Sequence, residues 1–354
     1  MAAGFTKSLR LRSLASGEAR KVTWLELFFD LVFAAAVAQV ARPLRDDYSV
    51  AGLIRFTILF VLIWWAWTGH AVFSTRFDSD DGVHRSLTFV QMFAVAVMAA
   101  NARDALDSRS SAGFAAAYAV LRFVLVVQYF RAISVTEARP LTTWYLVGHG
   151  IAAALWLVSS LVQVPVRYAI WTIAFFLDLG TPWGAIRHSV SIPPDPDHLP
   201  ERFGLFTLIL LGESIVAVMH AIEHQEYWSV PAASAAMTGM AIAFTIWWWY
   251  FDAAHATTAQ PVQTHADAVR LHAWSYAHLP LYLGLVVAFV GIQLIVSVAP
   301  MVALSRAQFI IVGAALAGIV LALAGIAVLS GHHRGGVSVT TATVRHRIEQ
   351  HTAS

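Results

Sequence analysis

Cysteine is absent from all 354 residues, which excludes disulfides, thiolate metal sites and cysteine nucleophiles. Charge is scarce. Asp, Glu, Lys and Arg together make up 12% of the chain, about half their share in an ordinary soluble domain. Nucleophile elbows, P-loops, dinucleotide fingerprints and the His-Glu-x-x-His zinc pattern are missing, so the chain carries no recognisable catalytic constellation and implies no cofactor. Short alternating strands are missing too, which argues against a membrane barrel. The net charge of +2 is no nucleic-acid footprint, because the cations fall where a membrane orientation rule places them.

Apolar sequence fills the space that charge leaves. Hydrophobic residues make up 58% of the chain, in runs of about twenty, each long enough to cross the hydrocarbon as a helix. Lipid offers no partner to a free backbone donor, so such runs must be helical. The expected fold is an all-α polytopic bundle with spans at 24–42, 51–73, 86–101, 112–130, 144–163, 167–187, 203–222, 232–251, 275–298 and 308–330. These spans form one transmembrane domain, 23–331, between a basic N-terminal segment, 1–22, and a tail, 332–354. The basic start resembles a signal peptide, but Glu26 and Asp30 would lie in its apolar region, so cleavage is not expected. The stretch Ile192–Pro200 contains four prolines and reads as a linker between spans six and seven.

Ten spans place both termini on one side. With that side cytoplasmic, it holds fifteen Lys and Arg, from Lys7 to Arg347, against six opposite. The bias predicts an inner-membrane protein with both termini inside. An internal echo links Trp64-Trp65-Ala66-Trp67-Thr68-Gly69-His70 to Trp247-Trp248-Trp249-Tyr250-Phe251-Asp252 and His255. Arg85 and Arg270 share the offset of His70 and His255. The echo predicts a parallel repeat pairing spans 1–4 with 7–10, although tryptophan anchors at two helix ends would produce the same pattern.

Acids at membrane depth are the sharpest feature. Glu26 and Asp30 are four residues apart and share a helix face, and a carboxylate facing lipid is costly. Glu26 also suits a solvated helix start. On span seven, Arg202, Phe206, Ile209, Glu213, Val216, His220 and His224 follow helical spacing and are expected to face the interior. Gly212 there would admit a neighbouring backbone. Glu213 can form a structural ion pair, with Arg122 as the nearest candidate. Asp178 precedes Gly180-Thr181-Pro182-Trp183-Gly184, where a broken helix would expose carbonyls to a cation and a simple proline kink would not. Asp252 with His255 can bind a proton or a metal, whereas His272 and His278 fit hydrogen-bonded interior positions. In the loop 76–85, Asp78, Asp80 and Asp81 suit either a metal for phosphate chemistry or solvated pairing with arginine.

Several of these stretches together resemble the bacterial low-temperature-requirement A family. They are Trp24-Leu-Glu-Leu-Phe-Phe-Asp-Leu-Val-Phe33, the loop 76–85 followed by Gln91, Glu201-Arg-Phe-Gly-Leu-Phe206 running to Leu211-Gly-Glu-Ser-Ile-Val216, and His278-Leu-Pro280. The resemblance implies a multi-pass inner-membrane protein and supplies no reaction.

The excess of intramembrane acids over Arg55 and Arg122 favours a proton- or cation-coupled transporter or channel for a small solute or ion in the bilayer. Its expected site comprises Asp30, Glu213 and Asp178, with Arg122 and Arg202 as counter-charges. Glu26, His70, Asp252, His255 and His278 are secondary candidates. The alternatives are an enzyme acting on lipid or isoprenoid phosphates, and a sensor or assembly factor without turnover.

Overall fold

The computed structural model describes residues 9–11, 22–78, 81–223, 230–255, 262–298 and 304–330. Ten long helices dominate: α1 Trp24–Asp46, α2 Val50–Arg76, α3 Gly82–Ala102, α4 Ser111–Ala132, α5 Arg139–Leu161, α6 Val166–Gly184, α8 His198–Glu223, α9 Val230–His255, α10 His265–Val298 and α11 Arg306–Leu329. A single turn, α7 Ile186–Ser189, follows α6. Two-residue strands β1 Arg10–Leu11 and β2 Phe77–Asp78 pair antiparallel, joining the N-terminal segment to the end of α2.

Helix starts follow local chemistry. Thr23 and Glu26 form a reciprocal capping box on α1, as Ser305 and Gln308 do on α11. Ser49 caps α2 and Asp81 caps α3. Asp195 accepts from the backbone N–H of Asp197 and of His198 at 3.0 Å, so α8 begins inside the proline-rich linker rather than after it. Pro200 sits in the first turn, where a missing N–H costs nothing. Helix α10 likewise begins ahead of its apolar run. Its polar first turns, 265–274, continue the helix that the apolar run requires.

Nine of the long helices are long and apolar enough to cross a membrane, among the described residues. The exception is α6, interrupted by Asp178 and the glycine–proline stretch, yet helical through Pro182 to Gly184. It is therefore not the broken helix that would present carbonyls to a cation.

The bundle is apolar outside as well as inside. Phe93, Phe123, Phe176, Phe309 and Leu321 are each more than 60% exposed, a surface that lipid stabilises and water would not. Together with the helix lengths, this makes the chain an integral membrane protein. The core joins α1, α2, α3, α4, α8, α10 and α11, and a smaller cluster packs the end of α2 against α4 and α5. α1 packs on α2 and α3, and α3 on α4; α8 likewise packs on α9 and α10, and α10 on α11.

Candidate functional site

Two fully buried ion networks lie on either side of α2. In one, Asp30 of α1 takes a two-pronged contact from Arg202 of α8, Nη2 to Oδ1 at 2.6 Å and Nε to Oδ2 at 3.1 Å. The indole N–H of Trp67 donates to the same Oδ1 at 2.7 Å, and Arg202 Nη1 donates to Ser74 Oγ at 2.9 Å. Glu26 lies 3.4 Å from Arg202, and His198 Nε2 lies 3.4 Å from Glu26, an ion-pair distance rather than a formed hydrogen bond. Charge-assisted, forked pairing is what keeps such groups tolerable away from water.

In the other network, Asp178 of α6 takes Arg122 Nε at 2.9 Å, His149 Nδ1 at 2.6 Å and the Trp65 indole N–H at 2.8 Å. Arg122 also donates to the Tyr118 hydroxyl at 2.8 Å. Trp65 and Trp67 are two residues apart, about 200° around the helix, so α2 serves a different carboxylate from each side. Their burial, 3% and 0% exposed, corrects the interface-anchor reading of this Trp-rich stretch. Trp247, Trp248 and Trp249 of α9 do face outward, so the two halves of the echo differ in chemistry.

Glu213 joins neither network. It lies eleven residues, about 16 Å, beyond Arg202 on α8 and is half-buried in a cleft of ≈ 180 Å³ with Arg42, Arg45, His220 and Gln293. Asp30 does not line that cleft, and Arg122 pairs with Asp178 rather than with Glu213. The stripe expected to face inward on α8 turns outward after Phe206, because Val216 and His220 are exposed; His224 lies outside the described residues. Nothing approaches Gly212 within 4 Å, so its lack of a side chain serves no helix contact. Gly69 has that role instead: a Cβ there would stand 2.8 Å from the Arg122 guanidinium.

The secondary candidates scatter. His70 is buried, stacks on Phe29 with ring centroids 3.9 Å apart, and forms no hydrogen bond through its ring nitrogens among the described residues. His278 is bonded to the Trp274 carbonyl at 2.9 Å and the Tyr250 hydroxyl at 3.0 Å, an interior structural histidine. Asp252 is exposed and accepts from Trp248, one turn earlier on its own helix; the side chain of His255 lies outside the described residues. Asp81 caps α3 and accepts from Arg131 at 2.6 Å, which favours the structural reading of that loop, while the Asp78 side chain and Asp80 lie outside the described residues. No group of three or more His, Asp or Glu able to hold a metal occurs among the described residues.

Acids do not outnumber bases in the interior. Among the described residues Glu26, Asp30, Asp81 and Asp178 are buried, and so are Arg76, Arg122, Arg167 and Arg202. Three of these arginines, Arg76, Arg167 and Arg202, sit near helix ends, where sequence places them in loops. Arg167 turns inward onto Ser111 Oγ and the carbonyls of Ser159 and Val162. Sequence reasoning also passed over His149 and His198. The lone polar residue in Gly148-His149-Gly150, mid-span in α5, was a legible signal.

A family model described as bacterial low temperature requirement A protein (LtrA) matches residues 21–348. The chain is similar to an uncharacterized protein, RA0937, of Rhizobium meliloti (strain 1021), 28% identical over 291 residues, covering 77% of this chain and 68% of the relative. No solved structure matches.

Proposed function

The chain belongs to the bacterial low temperature requirement A family, and on that premise we propose that it is a proton-coupled transporter of a small solute in the bacterial inner membrane. One observation carries this reading: two cavities border the buried Asp30–Arg202 pair at different depths, one alongside it on α2, from Trp65 to Arg76, and one beyond it on α8 and α10. On α8, Leu199 lines the one and Leu210 to His220 the other; on α10, Leu271 to Tyr276 line the one and Val286 to Gln293 the other. Arg202 falls between the two sets. Cavities offset in depth around a buried ion pair suit a site that is reached in turn from the two sides of the membrane.

Proton coupling is favoured over metal-cation coupling because the interior acids already have arginine partners. Each network instead sets an imidazole, His198 or His149, against a carboxylate, a juxtaposition of two proton-carrying groups. Asp30 and Asp178 are then the proton-handling acids, with Arg202 and Arg122 as their counter-charges, and Glu213 is the acid of the second cavity.

A tenth crossing by α6 agrees with its length of about 28 Å and its packing on α5, and both termini are then cytoplasmic. Burial of Arg76, Arg167 and Arg202 removes two cations from the cytoplasmic fifteen and one from the opposite six, so the orientation bias keeps its sign. The matching packing order of α1–α4 and α8–α11 supports the parallel repeat.

Purified protein in liposomes with an entrapped pH dye tests the reading. Addition of a transported solute should move protons in wild-type vesicles, and Asp30→Asn and Asp178→Asn should insert and fold but lose that movement. Full activity in both folded variants, or no proton movement across a panel of small organic acids, amines and sugars, would refute it.

A further inference from the structure

The cavity lined by Leu199 and by Leu271 to Tyr276 also meets Arg76 and a set of aromatic rings. Its volume is ≈ 40 Å³, against about 10–15 Å³ for one water on the same kind of measure, so it takes an occupant of three or four non-hydrogen atoms. Its walls include Trp65, Tyr129, Tyr145 and Tyr276. Trp65 and Tyr276 are stacked with centroids 5.8 Å apart, and Tyr129 and Tyr145 at 4.8 Å.

Set into this aromatic wall is Arg76, 2% exposed. Its Nε donates to the Ile192 carbonyl at 3.2 Å, Nη1 to the Tyr145 hydroxyl at 3.4 Å and Nη2 to Ser189 Oγ at 3.2 Å. It forms no ion pair with a carboxylate among the described residues, unlike Arg122 and Arg202. A guanidinium has five N–H donors, and three are engaged here, leaving one hydrogen on each terminal nitrogen. The Tyr276 hydroxyl is buried at the same cavity with no hydrogen-bond partner among the described residues. His149 adds its ring from the Asp178 network.

A buried cation without a counter-ion and a buried hydroxyl without a partner are both costly, and one occupant relieves both. Aromatic cages of this kind ordinarily take cations, but a guanidinium in the wall repels them. Planar carboxylates match the forked donors of arginine, and a short apolar body suits the rings. We infer that this cavity binds a small monocarboxylate of acetate size, held by Arg76 and Tyr276. The inference deepens the transporter reading by naming its solute class, and the binding itself does not depend on transport.

The full-length protein in detergent is titrated with sodium acetate replacing sodium chloride at constant ionic strength, with tryptophan fluorescence as the readout, since Trp65 lines the cavity. Methylammonium chloride serves as the cationic control. Acetate should give a saturable change that is at least tenfold weaker in Arg76→Gln and several-fold weaker in Tyr276→Phe, a variant that removes only one oxygen and keeps the ring. If Arg76→Gln fails to fold, Tyr276→Phe decides. The inference is overturned by no saturable response in folded wild type, by unchanged affinity in the folded variants, or by a saturable response to methylammonium instead. Proton-coupled flux of another solute without acetate binding would remove this site and leave the transporter. Acetate binding without flux of any solute would do the reverse.

Discussion

Asp30 accepts three hydrogen bonds from two side chains, and their contributions separate by substitution. Trp67→Phe keeps a ring in the core but removes one donor from a buried carboxylate, which costs about 1–3 kcal/mol. In an Asp30→Asn background the same change should cost clearly less, because the charged acceptor has gone. The cycle is measured by thermal melting or denaturant titration in detergent, and additive effects would show that the indole bond contributes nothing specific. Sequence alone made Asp30 visible as an intramembrane acid. It also marks Arg202 as a counter-charge, but not that Arg202 and Trp67 both bond Asp30, because they are 172 and 37 residues away and both sit where an interface residue would be equally ordinary.

At the scale of the helix, α2 is set by what passes beside it. Gly69 faces the Arg122 guanidinium closely enough that a methyl group would displace it from Asp178, whereas Gly150 and Gly180 have open space. Gly69→Ala should therefore destabilise by about 1–3 kcal/mol. Gly180→Ala should not destabilise, and thermal melts of the two compared with wild type check the difference. Sequence located all ten long helices, nine of them through the uninterrupted apolar run that crossing lipid demands. It misplaced the starts of α8 and α10, whose first turns are polar and held by Asp195 and by the Thr264–Asp267 contacts. Periodicity likewise marked one face of α8 but not where that face leaves the bundle.

For the molecule as a whole, orientation is the property most directly testable, and the absence of cysteine supplies a clean background. Cysteines at Asp47 and Arg109, both exposed, should react with an impermeant thiol reagent in intact cells, and one at Glu137, exposed at the other end, should react only after lysis. Reversal of that pattern would invert the topology. Ser49 and Ser108 are poorer probes, because Ser49 caps α2 and Ser108 has a φ of 70°. The pairing of buried acids with buried arginines also bears on the membrane potential. A charge displaced across the membrane potential gains about 2.3 kcal/mol per 100 mV, but Asp30 moves with Arg202 and Asp178 with Arg122. Each pair would cross the field as a neutral body, so voltage does no net work on these two pairs.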